Sequence, residues 1–446
     1  MTKLLMVSSN VMDDPYPVYP LGANIVASAV KKSGIEVKFF DLMVDGIAGL
    51  DTALVEFKPD YIAISMRNVD NVNFNEPQSF VFQYKSLIEK IQQTTKAPII
   101  LGGAAYTIFP SQFLEFLGAD YGIIGPGEVS LPKLLAMLEQ KKLPPNPIII
   151  GEIDNSGENG YYLARESRLT QFYLHQGGML NISTKRGCPH QCLYCSYPQL
   201  EGTRYIFRQP EAVVDEIAFL KNKYQADFLF FTDSVFNDCN NQYLLIMEEM
   251  ARRGITIPWT AYLRPAEFQR EEIELMKRTG LHSVEWGTDC SSDPTLRGMK
   301  KSFCWDDVRK ANNLFAEYDI PGSHFIIFGG PGETSQTVRE GIKNLSELDY
   351  CVVFGGMGVR VFPGTGICEL AKQTGLIRDE SELFAQEIYY HSPDIDVEWL
   401  NQYLMASFKQ KRNWIFPWAG VAERNRFMHN SGFRGSLWDL LLKRKS

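Results

Sequence analysis

The feature that most limits the folds open to this chain is an alternation of short apolar runs with stretches of helical spacing. Apolar runs of this kind, bounded by turn residues, suit strands buried on both faces, and such strands need helices to cover them. The first series comprises 3–9 (KLLMVSS), 36–41 (EVKFFD), 60–66 (DYIAISM), 97–103 (APIILGG) and 121–125 (YGIIG). A helix is predicted over 21–32, with Gly34 where a helix stop belongs. Five strands over about 130 residues predict one doubly wound α/β domain. The segment 141–160 (KKLPPNPIIIGEIDNSGENG) loses helical period, is rich in Pro, Gly and Asn, and reads as a boundary. A second series follows at 179–185, 227–233, 257–263, 283–289, 323–329 and 358–362, with helices such as 210–224 and 306–318 between. Six βα units in about 190 residues predict a partial (β/α)6 barrel, since a complete one needs about 250. Residues 376–446, with Trp399, Trp414, Trp418 and Trp438 and few strand runs, predict a mostly helical C-terminal cap. The expected divisions are therefore 1–145, a linker at 146–178, 179–375 and 376–446.

The bulk numbers narrow the partners. Hydrophobic residues at 45% and charged residues at 22% suit a globular chain with more than one core. A formal net charge of −8 argues against a nucleic-acid partner, which a basic face usually serves. No apolar run reaches the roughly 18 residues of a membrane span, and the apolar start is too short for a signal peptide. A cytoplasmic location is expected. Eight cysteines in 446 residues do not make a disulfide scaffold. Five of them, Cys239, Cys290, Cys304, Cys351 and Cys368, are scattered and read as buried free thiols.

The other three carry the strongest chemical signal: Cys188-Pro-His-Gln-Cys192-Leu-Tyr-Cys195, directly after a predicted strand and the loop Lys185-Arg186-Gly187. Three thiolates on one short loop can hold three irons of a cubane and leave the fourth open to a small chelating molecule. A structural zinc site normally needs four ligands in two separated pairs. His190 could be the fourth, but it lies in the same tight loop and no second pair follows. The Cys-x3-Cys-x2-Cys spacing, with aromatic Tyr194 before the last cysteine, resembles the radical SAM superfamily. The resemblance implies a [4Fe–4S] cluster on Cys188, Cys192 and Cys195. It also implies S-adenosylmethionine (SAM) on the open iron beside Tyr194, cleaved reductively to a 5′-deoxyadenosyl radical.

Polar residues at the C-terminal ends of barrel strands are candidate ligands. Asp233 suits the SAM ammonium, and Arg264 suits its carboxylate through a bidentate pair. Glu285, Thr288 and Asp289 suit the ribose or the amino acid, and Arg360 is a further candidate. Each has a plainer alternative in helix capping or an internal salt bridge.

The first domain presents loops at 16–22, 65–70, 102–105 and 125–128, all at predicted strand ends where open sheets bind ligands. Placed ahead of such a barrel, it resembles a flavodoxin-like cobalamin-binding domain. The Ser after strand three and the Gly-Gly after strand four match that family's pattern. The resemblance implies contacts to cobalamin from Tyr19, Leu21, Gly22, Ser65, Met66, Arg67, Asn68, Gly102, Gly103, Ala104, Gly125, Gly127 and Glu128. The family's Asp-x-His-x-x-Gly loop, whose His ligates cobalt, is missing here, and Arg67 is expected near that face of the corrin. The competing reading is a relic domain kept for packing.

Together these resemblances imply a cobalamin-dependent radical SAM enzyme, foremost a C-methyltransferase acting on an unactivated carbon of a small-molecule or lipid-like substrate. A flavodoxin- or ferredoxin-type protein is expected to supply electrons. Rearrangement, cyclisation or ring contraction without methyl transfer, and a non-catalytic iron–sulfur protein, are the alternatives.

Overall fold

Leu4, Leu5, Met6 and Val7 are all buried because their strand lies inside a parallel sheet with helices on both faces. The computed structural model describes residues 1–153, 164–417 and 420–442, so Trp418 lies outside the described residues. The first sheet contains β1 (Lys3–Ser8), β2 (Glu36–Asp41), β3 (Tyr61–Ser65), β4 (Ile99–Gly102), β5 (Tyr121–Ile124) and β6 (Ile148–Ile150). Their order is β2-β1-β3-β4-β5-β6, and every pairing is parallel. The predicted helix forms over Leu21–Lys32. The sixth strand was not expected. It comes from the Ile-Ile-Ile of the Pro-rich boundary, where β-branched residues extend the sheet edge and leave Ile150 exposed.

The second sheet has seven parallel strands in the order β17-β14-β13-β12-β11-β10-β7. These are β7 (Leu180–Ile182), β10 (Leu229–Phe231), β11 (Trp259–Leu263), β12 (Leu281–Asp289), β13 (Gly322–Phe328), β14 (Cys351–Met357) and β17 (Trp414–Ile415). Two short antiparallel pairs complete the strands: β8 (Lys185–Arg186) with β9 (Ile206–Phe207), and β15 (Val359–Arg360) with β16 (Tyr389–Tyr390). The sixth barrel strand therefore runs over 351–357 and not over 358–362. Its Gly355-Gly356 reads as a turn, yet Gly355 is demanded by packing: a Cβ there would stand 2.7 Å from the Phe408 ring of the helix Val397–Phe408.

The C-terminal region is more than a helical cap, since it supplies β17. Its helix Ala422–Asn430 packs along the helix Ser167–Gly177 that leads into β7. The same segment grips the first loop of the N-terminal domain. Val421 N–H donates to Asp14 Oδ1 (3.0 Å), Asn425 Nδ2 to the Pro15 carbonyl (2.9 Å), and Arg426 pairs with Asp13. Of the five scattered cysteines, Cys290, Cys351 and Cys368 are buried, whereas Cys239 and Cys304 are exposed. Cys239 sits in the turn that Asp238 ties before the helix Gln242–Arg252, and Cys304 is the N-cap residue of Trp305–Glu317. Both positions lie at the surface, where no core covers a side chain.

Candidate functional site

The cysteine loop is pinched at its neck by the β8–β9 pair. Gly187 has φ +81°, and a Cβ there would meet the Arg204 carbonyl at 2.0 Å, so the neck closes only around glycine. Cys188 N–H donates to the Gly202 carbonyl (3.0 Å), and a turn from Cys195 N–H to Cys192 O (3.1 Å) sets the last two sulfurs. The loop docks through Leu193, whose N–H donates to Met299 O (3.0 Å) and whose carbonyl accepts from Ile367 N–H (2.8 Å).

Burial raises the Cys192 thiol and pushes Cys195 up to about 12, and the neighbouring cysteines add to both shifts. Such thiols deprotonate when a metal supplies positive charge. The one described group of three or more ligand atoms within 4.8 Å of one another is Cys368, Glu369 and Glu380. There the Lys372 ammonium already pairs with Glu380 at 2.8 Å and Glu369 at 2.9 Å. The Cys188, Cys192 and Cys195 sulfurs do not converge that tightly; three thiolates on one loop are the ligand set of a cubane with one open iron.

A buried lysine that was not anticipated, Lys301, stands over this loop. Its ammonium contacts Asp289 and lies 5.5 Å from the Tyr194 ring centroid. Burial opposes its charge, but Asp289 and Cys192 hold the ammonium above its ordinary range. Tyr194 donates its hydroxyl to Asp289. Lys301 follows the short helix Asp293–Gly298, twelve residues along the chain from the strand end at Asp289 that it meets in space.

The remaining candidates divide. Arg264 stays at the mouth, near His190, and hydrogen-bonds Ser302 through Nε (3.2 Å) and Nη2 (3.3 Å). Asp233 is buried and accepts from Thr184 N–H (2.7 Å), Thr184 Oγ1 (2.5 Å) and Lys185 N–H (3.2 Å), so it builds the turn into the cysteine loop. Thr288 faces the helix layer, bonded to His324 Nδ1 at 2.8 Å. Arg360 donates from Nε to Asp70 of the N-terminal domain at 2.9 Å, with both side chains buried. Asp233 and Arg360 are bonded within the protein yet each still lines a pocket, whereas Thr288 is turned towards the helix layer. Glu285 lies inside the barrel, where Oε1 accepts from Ser436 Oγ at 2.7 Å and from Trp438 Nε1 at 3.4 Å.

The carboxyl edge of the first sheet opens on a cavity of about 420 Å³ between the two domains. Tyr19, Leu21, Gly22, Ser65, Met66, Arg67, Gly102, Gly103, Ala104, Gly125, Gly127 and Glu128 all reach its wall. Asn68 does not line it: its amide donates to Met12 Sδ (3.2 Å) and its carbonyl accepts from Tyr84 (2.6 Å). Thr107 joins the wall, as do Asn181, Lys185 and Tyr197 from the barrel side. Glu128 pairs with Arg186 across the gap at 2.5 Å. All six histidines lie beyond residue 170, so this domain offers no imidazole to a cobalt. The small residues at the strand ends leave room for a flat macrocycle. Gly103 links two of the loops: at φ +92° its Cβ position lies 2.5 Å from Met66 O. Gly103→Ala is expected to cost roughly 2–4 kcal/mol by strain and overlap. Urea denaturation, with cobalamin retained on gel filtration as the second readout, checks this.

Comparison with known proteins agrees with this division of labour. The B12 binding domain model matches residues 10–135, and the Radical SAM superfamily model matches residues 182–345. The chain belongs to the cobalamin-binding radical SAM enzymes. A tryptophan 2-C-methyltransferase from Streptomyces laurentii is 25% identical over 442 residues, spanning 81% of this chain and 74% of that one. The hopanoid C-3 methylase of Methylococcus capsulatus is 23% identical over 63% of this chain and 55% of its own. The radical SAM methyltransferase TsrM from Kitasatospora setae, solved with tryptophan and a SAM analogue, matches with a TM-score of 0.87 at 22% identity, covering 99% of this chain and 98% of that one. TsrM solved with cobalamin and a [4Fe–4S] cluster matches at 0.86, with 23% identity over 99% and 98% of the two chains. No described helix is long and apolar enough to cross a membrane.

Proposed function

We propose that this chain transfers a methyl group from SAM, by way of cobalamin, to a carbon of a small molecule. The observation that carries the reading is a shared wall. Tyr197 lines both the 420 Å³ cavity of the cobalamin loops and a second pocket, of about 230 Å³, formed with Tyr194, Cys195, Ile327, Gly356 and Phe362. A single aromatic side chain thus borders both of the proposed cofactor sites. When bound, the cluster supplies the electron that cleaves SAM, and cobalamin carries the methyl group.

The chain's own residues hold and shield these groups. Cys188, Cys192 and Cys195 bind the cluster. Tyr194 covers the SAM pocket, while Lys301 and Arg264 present positive charge towards a carboxylate there. The cobalamin loops would seat the corrin, with Arg67 at the cavity wall. The Asp70–Arg360 and Glu128–Arg186 pairs close the domains over one another and exclude water. A flavodoxin- or ferredoxin-type donor and a cytoplasmic setting suit this reductive chemistry.

Anaerobic incubation of the reconstituted protein with cobalamin, SAM, a strong reductant and tryptophan tests the reading, because two relatives act on tryptophan. 5′-Deoxyadenosine and S-adenosylhomocysteine are both expected, the latter only with cobalamin present. Deoxyadenosine without S-adenosylhomocysteine, across a panel of amine and lipid substrates, would sink methyl transfer.

A further inference from the structure

The barrel interior carries one carboxylate to which the proposed reaction has given no role. Along β12, Val284 and Trp286 pack outward into the helix layer, so the alternation of the strand turns Glu285 inward. Glu285 is 3% exposed. Its Oε1 takes the donors from Ser436 and Trp438, while Oε2 receives no hydrogen bond from any described residue. No described lysine or arginine pairs with it. A carboxylate taken out of water without a countercharge is costly, and a cation brought by a ligand removes that cost.

Its surroundings are those of a binding chamber. Tyr262 lies directly beside Glu285 in the β11–β12 register, and Ser323 lies beside it in the β12–β13 register. Ser323 is fully buried, and its hydroxyl has no hydrogen-bond partner. Further up β13, Phe325 faces Phe354 of the neighbouring β14, with centroids 5.0 Å apart and planes at 9°. Tyr262 packs on Phe230 at 4.9 Å. Phe230 is buried, but Tyr262, Phe325 and Phe354 keep partial exposure, as a chamber requires and a filled core does not. Tyr16 and Tyr262 both pack on the cluster of Met179, Phe228 and Phe230, and burial, then the Glu285 charge, raises both phenols. Tyr16 comes from the first loop of the cobalamin domain, so the chamber reaches that domain.

We propose that Glu285 anchors the protonated amine of a substrate whose apolar, aromatic-sized body lies against Tyr262, Phe325 and Phe354. This rests on the methyltransferase reading and names its substrate class: an amine-bearing small molecule, not a neutral lipid. The C-terminal segment then acts as a positioning element. Ser436 and Trp438 fix Oε1 and leave Oε2 for the ligand.

The test uses the anaerobic, reconstituted holoenzyme and two probes of one shape, tryptamine and its neutral counterpart 3-ethylindole, measured by equilibrium dialysis. Wild type is expected to bind tryptamine at least about 10-fold more tightly. Glu285→Gln, which keeps the shape and removes the charge, is expected to abolish that preference while leaving 3-ethylindole within about 3-fold. Ser436→Ala, which spares the carboxylate, is expected to keep the preference, and retained cluster and cobalamin absorbance certify each variant as folded. A wild type that does not prefer tryptamine, or a preference that survives in Glu285→Gln, overturns the assignment. Failure of the methyltransferase reading shows separately, as wild-type holoenzyme that makes no S-adenosylhomocysteine with any substrate but still shows the Glu285-dependent preference.

Discussion

Cys192→Ala is expected to strip the protein of its iron–sulfur absorbance and to lower SAM cleavage on the order of 1,000-fold, to background. A cubane held by three cysteines has no protein ligand to spare, and the loop offers only His190 nearby, whose imidazole burial and the adjacent Arg264 and Lys301 charges keep neutral. The fold should persist. Cys192 is only half-buried, and the loop is held by backbone bonds at Leu193 and Cys188 that the substitution leaves alone. Iron analysis, the visible spectrum and 5′-deoxyadenosine yield read the first effect, and the melting curve of the apo-protein reads the second. A variant that keeps iron and cleaves SAM would overturn the ligand set. Stoichiometric zinc in the wild type, with no iron after reconstitution, would overturn the cubane itself.

Removing Asp70 is expected to destabilise the protein by about 3–5 kcal/mol, because it leaves the Arg360 guanidinium buried without its countercharge. Arg360 also donates from Nη1 to the carbonyls of Val361 (2.7 Å) and Ile388 (3.3 Å) and stacks over Phe362 at 4.7 Å, so it cannot swing out to water cheaply. Asp70 lies on the loop after β3 that also carries Arg67, while Arg360 lies at the barrel mouth beside the SAM pocket. The pair therefore sets the spacing between the two cofactor sites. Asp70→Ala should lower S-adenosylhomocysteine more than 5′-deoxyadenosine, since cleavage needs the barrel alone and methyl transfer needs both domains in register. The double variant Asp70→Leu/Arg360→Met should regain most of the lost stability, as apolar replacements of buried pairs commonly do. Urea denaturation and the ratio of the two SAM products measure both effects. Single variants within about 1 kcal/mol of wild type would show that the pair is not a latch.

Much of the cofactor chemistry was legible in the residues. The strands of the first domain and the cobalamin loops follow from apolar runs ending in small residues, because a parallel sheet puts its ligand edge at a position countable along the chain. The cysteine loop is legible for a related reason: its ligands are local, separated by three and two residues. Lys301 was not legible, since nothing in Lys300-Lys301 says which ammonium turns inward. The partner of Arg360 was hidden for the same reason. It lies 290 residues earlier in the chain, and the pairing exists only once two domains have docked.

The sequence by itself determined the two α/β series, the closely spaced Cys188, Cys192 and Cys195, the absence of a histidine from the first domain, and most of the residues that line the cavity at its sheet edge. Each is a short-range pattern of residue type, spacing and strand period. Only the tertiary structure decided which polar residues face a cofactor, which latch the domains, and how the chain's end reaches the barrel interior to hold Glu285. Those outcomes depend on which charges meet after burial. Desolvation makes an unpaired buried charge too costly to leave, so the nearest countercharge in space, and not in sequence, settles each side chain's role.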